Sequence, residues 1–126
     1  MPPEPRNKRI LIVDDEAIVA FFLSEGLKGL GDEYDVHTTA SAEGALEQCH
    51  GARFDLAVVD YRLPGLSGLD LLERLRVISP ETQTIVITAY SSPELENEAA
   101  RLSASRYLEK PFRLQELMCT VQEVLA

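Results

Sequence analysis

Apolar and polar positions along the chain change period in a regular way. Ile10-Leu11-Ile12-Val13 is an unbroken β-branched and apolar run that stops at Asp14-Asp15, the mark of a strand covered on both faces. From Glu16 to Leu30 the apolar residues Val19, Phe22, Leu23, Leu27 and Leu30 recur at helical spacing, and Gly29 and Gly31 supply the stop. Tyr34 to Thr38 alternates instead, as a strand with one wet face does at a sheet edge. A helix over about 42–48 follows, with Ser41 as N-cap, Gly44 as a weak point and Gly51 as a stop. The same alternation then repeats. Leu56-Ala57-Val58-Val59 runs to Asp60 before a helix near 69–78, and Thr84-Ile85-Val86-Ile87 runs to Thr88 before a helix from about Pro93. Arg106-Tyr107-Leu108 leads to Lys110-Pro111 and a last helix over 114–125.

Five β-α units in succession predict an α/β fold: a doubly wound, five-stranded parallel sheet with helices on both faces, a three-layer αβα sandwich of flavodoxin-like type. With the alternating second strand at an edge, the strand order is 2-1-3-4-5, and the direction of winding reverses between strands 1 and 3. Ligands of open parallel sheets sit beyond the carboxyl ends of the strands, so the residues closing each strand form the candidate site: Asp14, Asp15, Asp60, Thr88 and Lys110. Three gathered carboxylates repel one another and call for a cation. Hard oxygen ligands in small number favour Mg²⁺, which with Lys110 brings the pocket to neutrality and leaves the Thr88 hydroxyl and the Lys110 ammonium to hold a phosphoryl group. Each residue alone has a plainer explanation. Asp14 or Asp15 can cap a helix, Asp60 can open a turn before Pro64-Gly65, and Thr88 can be an ordinary strand residue. The set, with one suitable residue type at each of four strand ends, is what points to Mg²⁺-phosphoryl chemistry.

Length and composition narrow the class. The chain has 126 residues, 45% of them apolar and 26% charged, which suits one self-folding domain rather than a disordered or disulfide-built chain. We divide it into a leader over 1–8 and a domain over 9–126. A net charge of −9 argues against direct binding of nucleic acid. No apolar stretch approaches the roughly 18 residues of a membrane span, and no secretion signal is evident, so the expected compartment is the cytoplasm. Cys49 and Cys119 read as two core thiols, and His37 and His50 as surface or strand histidines rather than ligands.

The stretches ILIVDDE, LAVVDYRLPGLSGLDLL, TIVITAY and YLEKPF together resemble a receiver domain of two-component response regulators, a likeness running from about Lys8 to Leu125. The resemblance implies a phosphoacceptor switch rather than a conventional enzyme, one that catalyses its own phosphorylation and dephosphorylation. Asp60 would accept a phosphoryl group from a phosphohistidine on a sensor kinase or phosphotransfer protein. Asp15, Asp60 and the backbone carbonyl of Arg62 would bind Mg²⁺, with Asp14 acting through a metal-bound water. Thr88, Lys110 and the backbone amides of Arg62 and Ala89 would hold phosphoryl oxygens. Thr88 and Tyr107 would form the switch, the Lys110-Pro111 bond would be cis, and an output domain or protein would read the change. The face of the fourth helix, fifth strand and fifth helix is the expected homodimer contact. One departure stands ahead of the fifth strand, where Ser103-Ala104 replaces a frequent Gly-Ala. The resemblance implies that Arg62 and Tyr90 occupy positions that in the family tune phosphoryl lifetime, where they either shield the acyl phosphate or point to solvent.

Two other classes share parts of this pattern. A phosphatase of haloacid-dehalogenase type needs a second Asp two residues after the nucleophile, where this chain has Arg62. A receiver-like module that binds partners without phosphorylation would lack the acceptor or the lysine, and both are present. The wheel of the first helix adds a surface. With Val19, Leu23, Leu27 and Leu30 turned to the sheet, Ile18 and Phe21 fall on the opposite side, where a helical phosphodonor could dock.

Overall fold

The computed structural model describes residues 7–126, so residues 1–6, most of the expected leader, lie outside the described residues. Five strands, β1 (Lys8–Val13), β2 (Tyr34–Thr39), β3 (Leu56–Asp60), β4 (Gln83–Thr88) and β5 (Arg106–Glu109), alternate with α1 (Ala17–Lys28), α2 (Ala42–Gly51), α3 (Gly68–Ile78), α4 (Pro93–Arg101) and α5 (Leu114–Val124). They form one parallel sheet in the order β2-β1-β3-β4-β5, as the hydrophobic pattern predicts. β1 takes in Lys8, the last residue of the expected leader.

Every residue of β3 is buried, whereas β2, at the edge, has none fully buried. Burial on both faces explains the continuous apolar runs, because successive side chains enter different layers. Leu11, Val13, Ala57 and Val59 pack beneath α2 and α3, while Ile10, Ile12, Leu56 and Val58 pack beneath α1 and α5. Ser41 caps α2 by accepting from the Gly44 N–H at 3.0 Å, as expected.

Three details differ from the sequence expectations. The buried face of α1 is Ala20, Leu23, Ser24 and Leu27, and Phe22 is 58% exposed rather than in the core. Small Ala20 and Ser24 let the helix lie close to the sheet, which turns Phe22, about 100° from Leu23, onto the shoulder. Of the two cysteines, Cys49 is buried but Cys119 is exposed on α5, and both are free thiols. Finally, α1 ends at Lys28 with Gly29 as its C-cap in the right-handed region, so the helix stops two residues before Leu30. At the departure ahead of β5, Ser103 has φ 66°, a left-handed conformation that costs a non-glycine residue about 1 kcal/mol.

Candidate functional site

Register brings the candidate residues to one edge. Val13 pairs with Val59, Asp60 with Ile87 and Thr88 with Glu109, so the last residues of β1, β3, β4 and β5 lie side by side. Backbone bonds extend this line into the loops: Asp14 N–H donates to the Thr39 carbonyl at 3.1 Å, Tyr61 N–H to Ile87 at 2.9 Å and Lys110 N–H to Thr88 at 2.7 Å. The β3–α3 loop then turns through Gly65, at φ 77°, and closes at Gly68. A Cβ at Gly68 would stand 2.6 Å from the Asp60 carbonyl oxygen, so only glycine lets α3 start this close to the acceptor strand.

Asp14, Asp60 and Thr88 are buried, Asp15 is exposed, and Lys110 is half-buried. Lys110 Nζ donates to Asp60 Oδ2 at 2.8 Å and lies 3.9 Å from Asp14 Oδ2. Asp60 Oδ1 accepts the Arg62 N–H at 3.0 Å, and Thr88 Oγ1 accepts the Tyr90 N–H at 2.9 Å. Asp15, Glu16, Asp60, Arg62, Ala89 and Lys110 are among the walls of an open cleft of about 480 Å³. Over its rim the Arg62 guanidinium stacks on the Tyr90 ring, 4.1 Å from the centroid, so both side chains engage each other. Tyr107, half-buried on β5, donates its hydroxyl to Ser91 Oγ at 3.2 Å. The Lys110-Pro111 bond is cis.

One residue escaped the sequence analysis. Among the described residues, the group of three carboxylates that brings its oxygens within 4.8 Å of one another is Asp14, Glu16 and Asp60. The available signal was the third acid of the Asp14-Asp15-Glu16 run, which reads first as the acidic start of a helix. His37 and His50 stand away from the site, as expected: His37 is on the edge strand, 3.1 Å from Asp35, and His50 is exposed near the end of α2. Ile18 and Phe21 are 85% and 67% exposed, in accord with the wheel, and Phe22 joins them. Beside Phe22 an apolar recess of about 410 Å³ is lined by Val19, Leu23, Pro111, Phe112 and Leu114.

The donor set fits a hard divalent cation. Asp14 Oδ2 is buried with no hydrogen-bond partner, and the one ammonium at the cluster offsets only one of three carboxylates. Burial, with the neighbouring charge of Asp60, pushes the Asp14 carboxyl up from 3.8 to about 6, although the Glu16 N–H and Lys110 pull the other way. Burial lowers the Lys110 ammonium, but its bond to Asp60 and the surrounding carboxylates outweigh this and raise it, so it stays charged.

A stability prediction follows from Asp14. A carboxyl raised by folding stabilises the fold while protonated in both states' common low-pH range. That contribution is lost as pH climbs from the unfolded value of 3.8 through the folded value of about 6. In metal-free buffer at pH 7.5, Asp14→Asn is therefore expected to melt higher than wild type by about 10 °C, the roughly 3 kcal/mol equivalent of that shift. Thermal melts followed by circular dichroism should show the gap closing near pH 4, and a lower melting temperature for the variant at pH 7.5 would contradict it.

The fold and cleft together define an open α/β domain with an acidic site, crossed by one lysine, where the strand order reverses. The chain belongs to the response regulator receiver domains, whose family profile it matches over residues 10–122. It is 32% identical to the sporulation initiation phosphotransferase F of Bacillus subtilis, over 94% of each chain. It is 35% identical to the transcriptional regulatory protein ZraR of Escherichia coli, covering 95% of this chain but 27% of that protein. A CheY-like receiver domain protein from Methanospirillum hungatei superposes with a TM-score of 0.89 at 32% identity, over 94% of each chain. A response regulator from Burkholderia pseudomallei, solved with a phosphorylated aspartic acid and a calcium ion, gives 0.82 at 28% identity, over 95% of this chain and 74% of that one. Among the described residues, no helix is long and apolar enough to cross a membrane.

Proposed function

We propose that this domain takes a phosphoryl group from a phosphohistidine onto Asp60 and passes the change to its surface as a switch. The observation that carries it is Asp60 itself, the carboxylate at the end of β3 that accepts from both Lys110 Nζ and the Arg62 N–H on the wall of the cleft. In the transfer, an Asp60 oxygen attacks phosphorus, the new P–O bond forms, the P–N bond breaks, and the electron pair leaves with the imidazole. Lys110 and the Thr88 hydroxyl meet the phosphoryl oxygens, aided by the backbone amides of Arg62 and Ala89. Asp14, Asp15, Asp60 and the Arg62 carbonyl would hold Mg²⁺, which supplies charge neutralisation between the acceptor and an anionic donor.

Before transfer, the Thr88 hydroxyl accepts from Tyr90, and Tyr107 holds neighbouring Ser91. Drawing Thr88 toward a phosphoryl group moves this loop, frees Tyr107 to turn inward and alters the face of α4, β5 and α5, where an output partner or a second copy would read it. In this reading the stacked Arg62 and Tyr90, both on the cleft wall, hinder attacking water and slow hydrolysis of the acyl phosphate. The setting in this reading is the cytoplasm, and the donor is a sensor kinase or phosphotransfer protein.

Docking gives a direct test. Ile18→Ala/Phe21→Ala removes two exposed side chains, so the double variant is expected to melt like wild type and label normally with acetyl phosphate. Transfer from a phosphorylated histidine kinase, chosen as the fastest donor in a panel, should fall at least about tenfold. Transfer at the wild-type rate would exclude this face.

A further inference from the structure

We infer that the outer ridge of α3, with the groove between α3 and α2, pairs this chain with a second copy of itself, the two α3 helices lying antiparallel about a two-fold axis.

The packing of α3 creates the surface. Leu71, Leu72 and Leu75 are buried, so at 100° per residue Asp70, Glu73, Arg74 and Val77 fall together on the outer side as one ridge. Val77 is 81% exposed and Ile78 37%. With Leu46 on α2 and Leu66 just ahead of α3, they line an open groove of about 600 Å³ that Asp70, Glu73 and Arg74 also border. Apolar side chains held in water beside an apolar groove gain from being covered.

Charge says what covers them. The whole chain carries a net charge of −9, so two copies repel on most approaches. Along α3 the charges balance, Asp70 and Glu73 preceding Arg74 and Arg76. They are not spent within the chain either. α1 and α4 each pair their one basic residue with an acid of the same helix, Lys28 with Glu25 at 3.4 Å and Arg101 with Glu98 at 2.6 Å. Among the described residues, Glu73, Arg74 and Arg76 have no ion-pair partner. The Asp70 carboxylate, four residues before Arg74, turns back instead to accept the Ser67 N–H at 3.1 Å in the capping box of α3.

A two-fold contact needs a patch complementary to itself, so an acid on one copy must meet a base of the same patch on the other. Two antiparallel α3 ridges, with the axis between residues 73 and 74, set Glu73 against the partner's Arg74 twice. The same arrangement brings Val77 level with the partner's Asp70, beside the apolar part of the groove formed by Leu46 and Leu66. α1 and α5 cover the other face of the sheet, so the surface offered to a phosphodonor stays open.

Sedimentation velocity of the unphosphorylated chain tests the pairing, with thermal melts to confirm that each variant is folded. One helix and its groove make a small contact, so wild type is expected to pass from one chain to two across about 10 µM to 1 mM. Glu73→Arg and Arg74→Glu should each weaken association at least about tenfold, since each sets like charges opposite one another twice. Glu73→Arg makes the chain less acidic, so general repulsion alone predicts the reverse. An equimolar mixture of the two variants should associate at least as well as wild type, because the acidic ridge of one then meets the basic ridge of the other. The double exchange Glu73→Arg/Arg74→Glu should likewise restore pairing. A wild type that stays monomeric at about 1 mM would overturn the inference and leave the groove to a different protein. Association that neither single variant weakens would overturn it too, placing the contact on another face, as would a mixture of the two variants that fails to associate.

Discussion

Asp60→Asn is expected to take no phosphoryl group from acetyl phosphate under conditions that label the wild type fully. The amide keeps the shape and still offers an oxygen to the Arg62 N–H, which donates to Asp60 Oδ1 at 3.0 Å, but it has no anionic oxygen to attack phosphorus. The other acids nearby do not replace it. Asp14 is sealed, with its carboxylate side chain 0% exposed, and Asp15 and Glu16 line the cleft without the paired contacts from Lys110 and Arg62. Intact mass before and after incubation measures the effect. An adduct of the same yield in the variant would mean that the pocket, and not this carboxylate, selects the acceptor.

Lys110→Met is expected to be nearly as severe, for two separable reasons. The ammonium is the cation that meets Asp60 Oδ2 at 2.8 Å and stands 3.9 Å from Asp14 Oδ2. As the donor aimed at the charge that builds on the transferring group, its loss should slow labelling by acetyl phosphate by about 10²-fold. The second effect is on the metal-free fold, where buried Asp60 loses its ionic partner. Breaking a fully buried pair costs about 3–5 kcal/mol. Because the Lys110 side chain is 23% exposed and water can partly replace it, about 2 kcal/mol is expected from urea unfolding. Saturating Mg²⁺ should return part of that stability, since a bound cation relieves the same carboxylates, without restoring the labelling rate. Labelling at the wild-type rate would remove Lys110 from the chemistry.

The sheet was legible because burial on two faces fills the inner strands mainly with apolar and β-branched residues. β1, β3 and β4 read directly as apolar runs, and the alternation in β2 marked the edge that sets the order β2-β1-β3-β4-β5. The gathering of Asp14, Asp60, Thr88 and Lys110 followed from that order, because parallel strands in register must end together. What stayed hidden depended on rotation and reach. Phe22 and Cys119 are apolar residue types whose helices turn them outward, and helix rotation is set by the small Ala20 and Ser24 on α1 as much as by its large side chains. Glu16 looked like a helix-start acid because only the path of the chain shows its carboxylate beside Asp14 and Asp60. The pairing of Arg62 with Tyr90 joins two loops whose separation no local pattern encodes.

The most direct test of the account is the chemistry of the phosphoryl group on the wild-type protein. After incubation with acetyl phosphate and Mg²⁺, the account predicts one phosphoryl group per chain, stable in acid, released by base and hydroxylamine, and mapped by borohydride reduction to the peptide that contains Asp60. No adduct, an acid-labile one of the kind histidine carries, or a base-stable one on a hydroxyl side chain would contradict it.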